Sequence, residues 1–330
     1  VNDQPQPRDI FLPFGILLVI LALGTLVPPL GMVAGIFVPV PLILIYLRYG
    51  KQVGLMAIAL VFVAVLMAVG FKQALLFVTE YAVVAAILGE TVRLGFPFQR
   101  SVLYAALGSI VLSSLLILVV SSSQGLALTD VFEQEFRKGA DEYIQSIEGI
   151  ENKPEEKKNL EDMAERVTEL FAMSFPALLV IGSLFAASLN YLLVRWLWLR
   201  FYGLGGLFEE ADLTRVLIPD NWVWFFILGT ALAVLGDGYL RGLGLNLFIV
   251  LGGLYFLQGL SIVLHLLKTK NVHQFFWFLA FLLIFTQPLL IGLVGGLGLF
   301  DIWIDFRKIR TPPLEEKGED DEDDMDDYLP

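Results

Sequence analysis

Residues 243–267 read LGLNLFIVLGGLYFLQGLSIVLHLL, 25 positions without one Asp, Glu, Lys or Arg. A helix needs about 20 predominantly apolar residues to cross roughly 30 Å of hydrocarbon, so this stretch is long enough to span a bilayer. It does not alternate polar and apolar positions, as a strand of a membrane barrel would. Lipid offers no hydrogen-bond partner to an open strand edge, which leaves a helix as the form such a run must take. This stretch sets the fold class, because the chain repeats it.

Eight more segments of the same character lie at approximately 10–27, 30–46, 53–70, 71–89, 101–120, 172–198, 222–240 and 274–300. The expected fold is an all-α, polytopic transmembrane helical bundle of eight to nine spans with a small helical exterior insertion. Composition agrees: 57% of the 330 residues are hydrophobic and 17% charged, and the mean hydropathy is +0.73. Soluble domains lie nearer 45–50% apolar and about 25% charged. Four regions follow: an N-terminal transmembrane bundle (1–120), an acidic exterior insertion (121–171), a C-terminal transmembrane bundle (172–310) and an acidic tail (311–330). Arg8 before Phe11–Val27 loosely fits a signal peptide, but no small-residue cleavage site follows. A retained first span is the expectation. Pro28-Pro29 then forms a hairpin, and Pro39 and Pro41 bend or partly unwind the second segment.

The net charge of −12 is concentrated in two places. Asp130–Glu169 holds 13 acidic and 6 basic residues, and Glu315–Asp327 holds 10 and 1, so the remainder carries +4. The acidity belongs to solvated segments, and nothing in it calls for nucleic acid as a partner. Within the insertion, Thr129 or Asp130 can cap a helix with an apolar stripe at Val131, Phe132, Phe136, Tyr143 and Ile147. A second helix from Leu160 to Leu170 leads back into the membrane, and the stretch around 149–158 is either helical or disordered. The tail from Thr311 is a low-complexity segment expected to be disordered.

Orientation follows lysine and arginine near span ends. Arg48, Lys51, Arg93, Arg100, Arg195 and Arg200 all fall on one side if the N-terminus is cytoplasmic, which puts the acidic insertion outside. A bacterial cytoplasmic (inner) membrane is the expected location. Arg307, Lys308 and Arg310 lie outside with nine spans and inside with eight; a cytoplasmic C-terminus is favoured. Trp196, Trp198, Trp222 and Trp224 read as interfacial anchors.

Ionisable and polar groups at membrane depth are costly, so each is a functional hypothesis. Glu80 lies nine residues into the fourth segment, with Gln73 two turns earlier on the same face. Its carboxylate suits a cationic or hydroxylated ligand, a proton, or a structural bond to another helix. Tyr255, Gln258, Ser261 and His265 are spaced 3, 3 and 4, forming one stripe beside Gly252 and Gly259. That stripe either lines a ligand cavity or packs helices, since glycine permits close approach and polar groups bond across it. Asn190, on a face with Ser183 and Ala187, is an amide needing several partners when buried. Gln287, within Thr286-Gln287-Pro288, sits where a proline frees a carbonyl. Asp301 and Asp305, four apart, precede Arg307, and an ion pair orienting the end of the last helix is expected there.

With no cysteine and two histidines, thiol chemistry is excluded and no metal centre or cofactor is expected. There is no phosphate-binding glycine loop, nucleophile elbow or His-Glu-x-x-His, so no catalytic role is expected.

The hairpin Pro28-Pro29 with Val38-Pro39-Val40-Pro41 and Tyr46-Leu47-Arg48-Tyr49-Gly50, and the closing Gly298-Leu-Phe-Asp-Ile-Trp-Ile-Asp-Phe-Arg307, carry a resemblance. In them the chain resembles the YybS-like family of bacterial membrane proteins, a domain of unknown function. Its first segments are distantly similar to the substrate-binding S-components of energy-coupling-factor transporters. That resemblance implies capture of a small molecule and docking on an energising membrane subunit. The Ala-x-x-x-Ala docking pattern expected on the first helix occurs instead as Ala64 and Ala68 in the third segment. Two functions follow: capture or transport of a small-molecule ligand, or a non-transporting envelope scaffold that binds a membrane protein partner.

Overall fold

The computed structural model describes residues 34–124, 154–202, 206–208 and 213–309, with 12–13, 15–17, 19–20, 133, 136–141 and 144. The Pro28-Pro29 hairpin, most of the first segment (10–27), Thr129, Asp130, Val131, Phe132, Tyr143, Ile147, all of 149–153 and the acidic tail lie outside the described residues. Every regular element among those described is helical. The elements are α1 (Pro39–Tyr49), α2 (Lys51–Ala68), α3 (Phe71–Arg93), α4 (Phe98–Gln124), α5 (Pro154–Phe201), α6 (Trp222–Leu235), α7 (Gly238–Thr269), α8 (Gln274–Thr286) and α9 (Pro288–Ile304).

Five of these, α2 to α5 and α7, are long and apolar enough to cross a membrane. The count is six if α8 and α9 form one span. Eight to nine spans are not shown: the count covers the described residues, which leave out most of the first segment, and the other differences have local causes. In the second segment the helix starts only at Pro39, after a turn at Ile36–Val38, because proline suits the first turn of a helix but not its interior. The remaining 11 residues of α1 reach only about 16 Å. The 14 residues of α6 reach about 21 Å. The final segment breaks at Gln287, before Pro288, with a bend of 104°.

The acidic insertion also departs from two separate short helices. Leu160–Leu170 and the membrane segment after it form one 48-residue helix, α5, about 72 Å long. Its acidic first half therefore extends well beyond the hydrocarbon. Phe136 meets Phe171 with ring centroids 4.9 Å apart, and Arg137 pairs with Glu165 at 3.0 Å.

The chain divides into two compact units, Val1–Ala211 with Trp222–Gly253, and Asp212–Asn221 with Leu254–Pro330. In the first, α1 packs against α2, α3 and α5, and α4 against α3 and α5. Tyr46 fixes one end of this bundle. Its ring fills the space left by Gly54 of α2 and Gly89 of α3, where a Cβ would collide with it. Its hydroxyl donates to Glu90 Oε2 at 2.6 Å, and Arg93 and Lys51 approach Glu90 Oε1 at 3.2 and 3.5 Å. An aromatic nest of Tyr191, Trp198, Tyr202 and Phe208 closes the core. Trp198 is thus a core residue at 1% exposure rather than an interfacial anchor, while Trp196 and Trp224 remain exposed.

In the second unit, α7 and α9 cross with their backbones nearly touching. A Cβ on Gly259 would collide with the Val294 carbonyl, and one on Gly298 with the Tyr255 carbonyl. Small residues allow this approach, the usual device of membrane helix packing.

Candidate functional site

The stripe on α7 leads to a buried polar cluster in the second unit. α9 ends at Asp305, which takes a left-handed conformation (φ 44°) and accepts the Ile309 N–H at 3.0 Å. Aspartate tolerates that region better than most residues, and the turn it makes returns Arg307 toward α7. Asp305 consequently lies just past the helix and does not share its face with Asp301.

Arg307 and Asp301 form the expected ion pair, at 2.6 Å with both side chains at 0% exposure. The guanidinium also donates to the Thr214 carbonyl at 2.7 Å and to Ser261 Oγ at 2.8 Å. Ser261 donates in turn to the Leu213 carbonyl at 2.6 Å. Gln258 donates to Asp301 Oδ2 at 3.1 Å and accepts the Ile218 N–H at 2.9 Å. The second Asp301 oxygen accepts the Phe306 N–H at 3.0 Å. Four side chains from α7 and the end of α9 thus hold the short segment 213–218, whose single 3-10 turn at Leu213–Arg215 leaves backbone groups for side chains to satisfy. Arg307 Nε is buried without a hydrogen-bond partner.

The stripe is only partly used. Gln258 and Ser261 join the cluster; Tyr255 is buried beside it in sequence; His265 is half-buried and meets Thr269 at 3.4 Å. Gln287 is exposed at the α8–α9 elbow. The role of segment 213–218 was not legible, since no pattern in Leu-Thr-Arg-Val-Leu-Ile announces backbone groups waiting for side chains.

Two asparagines serve the first unit. Asn190 donates to the Ile36 and Ala186 carbonyls, both at 2.8 Å, fixing the turn before α1, and its Oδ1 is buried without a partner. Asn246, missed in the sequence, repairs a defect in α5. Pro176 interrupts the hydrogen-bond ladder there. The Asn246 amide inserts into the gap, accepting the Ala177 N–H at 2.8 Å and donating to the Met173 carbonyl at 2.6 Å. The usable signal was a lone Asn in an apolar run paired with an intrahelical proline elsewhere.

Glu80 and Gln73 belong to the first unit, and both are exposed. α3 carries a π-helical turn at Val78–Ala82, with the Val83 N–H bonding to the Val78 carbonyl five residues back. Ser109 of α4 donates to the Thr79 carbonyl at 2.9 Å, anchoring the widened turn from behind. Thr79 and Ala82 face inward, and Glu80 faces out. Such turns recur at functional sites. Among the described residues Glu80 has no hydrogen-bond or ion-pair partner.

Beside the acidic first half of α5, Arg137, Asp141, Glu161, Asp162 and Glu165 line an open groove. Among the described residues no group of three His, Asp or Glu is placed to hold a metal ion.

Residues 15–302 match the family described as a predicted membrane protein, DUF2232. The chain belongs to DUF2232. As a member it is a multi-pass membrane protein in contact with lipid. The matched region takes in Glu80, Asn190, Gln258, Ser261 and Asp301, and stops short of Arg307. No curated protein and no solved structure matches the chain.

Proposed function

We propose that this protein is a membrane-embedded scaffold that holds another membrane protein through contacts inside the bilayer. The observation that carries this reading is Glu80, an exposed carboxylate near the middle of a spanning helix, unpartnered among the described residues. A charge there is costly in lipid and marks a place where something else belongs. The polar groups that suggested a ligand cavity have other work. Gln258 and Ser261 are engaged by Asp301, Arg307 and the 213–218 backbone, and the Asn190 amide protons by two carbonyls. The location is a bacterial cytoplasmic membrane with the N-terminus inside. Supporting this orientation, Lys51 and Arg93, from two different helix ends, meet on Glu90.

The test is the mass of the complex extracted directly from membranes in polymer-bounded nanodiscs at native expression. A particle larger than one chain, reduced to one chain by Glu80→Leu at unchanged abundance, supports the scaffold. A wild-type particle containing one chain overturns it.

A second reading, capture or transport of a small molecule, is favoured by the break at Gln287. Interrupted spans commonly build substrate sites in transporters. The resemblance to YybS-like proteins and S-components points the same way. A small molecule that co-purifies with the wild type and is lost in Gln287→Leu would favour it.

A further inference from the structure

We infer that the partner at Glu80 is a membrane-spanning helix of a different protein carrying a single arginine or lysine at mid-bilayer depth, an inference that rests on the scaffold reading above.

The depth comes first. Glu80 is the tenth residue of the 23 in α3, roughly 14 Å along the axis from Phe71 and roughly 20 Å from Arg93. Neither end of the helix is close enough for a short carboxylate to reach water, and glutamate cannot extend outward as lysine does. Its exposed neighbours toward Phe71 are Lys72, Gln73 and Leu76, of which Leu76 is one turn away. Toward Arg93 the helix turns inward, with Val84, Ala85 and Leu88 all buried in the bundle core. The carboxylate therefore stands at the inner limit of an exposed strip, where a second helix can lie along α3 and reach it.

The orientation is built in. The Ser109 bond to the Thr79 carbonyl holds the π-helical turn, and the next residue points away from α4. Relaxing that turn to a regular helix would rotate Glu80, so its outward aim is a property of the packed bundle.

Charge decides between a second copy and a different protein. Two copies inserted in the same orientation and related by a two-fold axis along the membrane normal present identical residues at identical depth. Glu80 would then face Glu80, and like charges in a medium of low dielectric repel strongly. A guanidinium or ammonium at the same depth on another helix removes the mismatch for both groups. Such groups are rare in spans and pair when they occur. Electrostatic complementarity of this kind selects partners more than it adds affinity.

The experiment uses the full chain in phosphatidylcholine vesicles and synthetic 23-residue Leu/Ala spanning peptides with lysine-flanked ends, followed by energy transfer. One peptide carries Arg at its centre, a second Leu at that position, a third Arg two turns off centre. The central-Arg peptide is expected to associate at a peptide-to-lipid ratio at least tenfold lower than the Leu peptide. Glu80→Leu is expected to abolish that difference, and the off-centre peptide to lose most of it. Equal association of the first two peptides, or a preference that survives in Glu80→Leu, overturns the inference. The off-centre comparison, made on the wild-type protein, keeps the test decisive if the variant does not fold. Energy transfer between two labelled copies that requires Glu80 also overturns it, in favour of self-association. If the native particle depends on Glu80 while the Arg peptide shows no preference, the scaffold stands and the cationic partner falls.

Discussion

Removing Asp301 should be among the most damaging single changes in the second unit, and removing Arg307 with it should be less damaging than the separate costs imply. In Asp301→Ala, Arg307 keeps the Thr214 carbonyl and Ser261 Oγ as neutral acceptors but loses its only counter-ion in the cluster. Gln258 Nε2 and the Phe306 N–H lose their acceptor too. Breaking a buried pair on one side costs about 3–5 kcal/mol, most of it the uncompensated charge. In Asp301→Ala/Arg307→Met no charge stays buried. The losses are ordinary hydrogen bonds at about 1 kcal/mol each, and the methionine fills the volume. The cost of the double variant should therefore fall about 2–4 kcal/mol short of the sum of the single costs, a coupling well beyond that of independent sites. Reversible unfolding in mixed detergent micelles measures all four corners of the cycle. Costs that add within about 0.5 kcal/mol would show that the two residues act independently and would remove the cluster as the organiser of segment 213–218.

Asn246→Ala should cost about 1–3 kcal/mol by leaving the Ala177 N–H and Met173 carbonyl unpaired, and Pro176→Ala in the same chain should recover most of it; unfolding midpoints of the three variants decide this. Gly259→Val should prevent α7 and α9 from closing, because its side chain meets the Val294 backbone; monodispersity in mild detergent, compared with Gly292→Val, where nothing lies near, reads the effect. Ser109→Ala should weaken the support of the π-helical turn by about 0.5–1.5 kcal/mol, measured as increased amide exchange at Glu80 and Tyr81. A cysteine at Ser122 should react with an impermeant thiol reagent on intact cells while one at Gln52 is protected; the opposite pattern inverts the topology.

Among the described residues hydropathy located the apolar part of each long helix, because the 30 Å requirement leaves little freedom over so long a run, but not the acidic first half of α5. What it could not count was completed crossings. The same apolar composition serves α1 and α6, which are too short, and the α8–α9 pair, which bends. Those outcomes depend on where Pro39 and Pro288 fall relative to a turn. The Asp301–Arg307 pair was legible because both charges lie close together in an apolar setting. Its extension to Gln258 and Ser261 was not, since it requires a backbone segment 40 to 90 residues distant in the chain. The π-helical turn at Glu80 was invisible for a related reason: it depends on Ser109 of another helix. Asn246 was passed over because its partner, the gap at Pro176, exists only once α5 and α7 are side by side.

The separations between bonded residues also order the assembly of the chain in time. The Tyr46 clasp needs nothing beyond Glu90, so it can close while most of the protein is still unmade. Arg307 reaches Thr214 across 93 residues, and until it emerges, Asp301, Ser261 Oγ and the Thr214 carbonyl lack the guanidinium that closes on them. A chain that stops short of that point leaves the buried Asp301 carboxylate without this counter-ion.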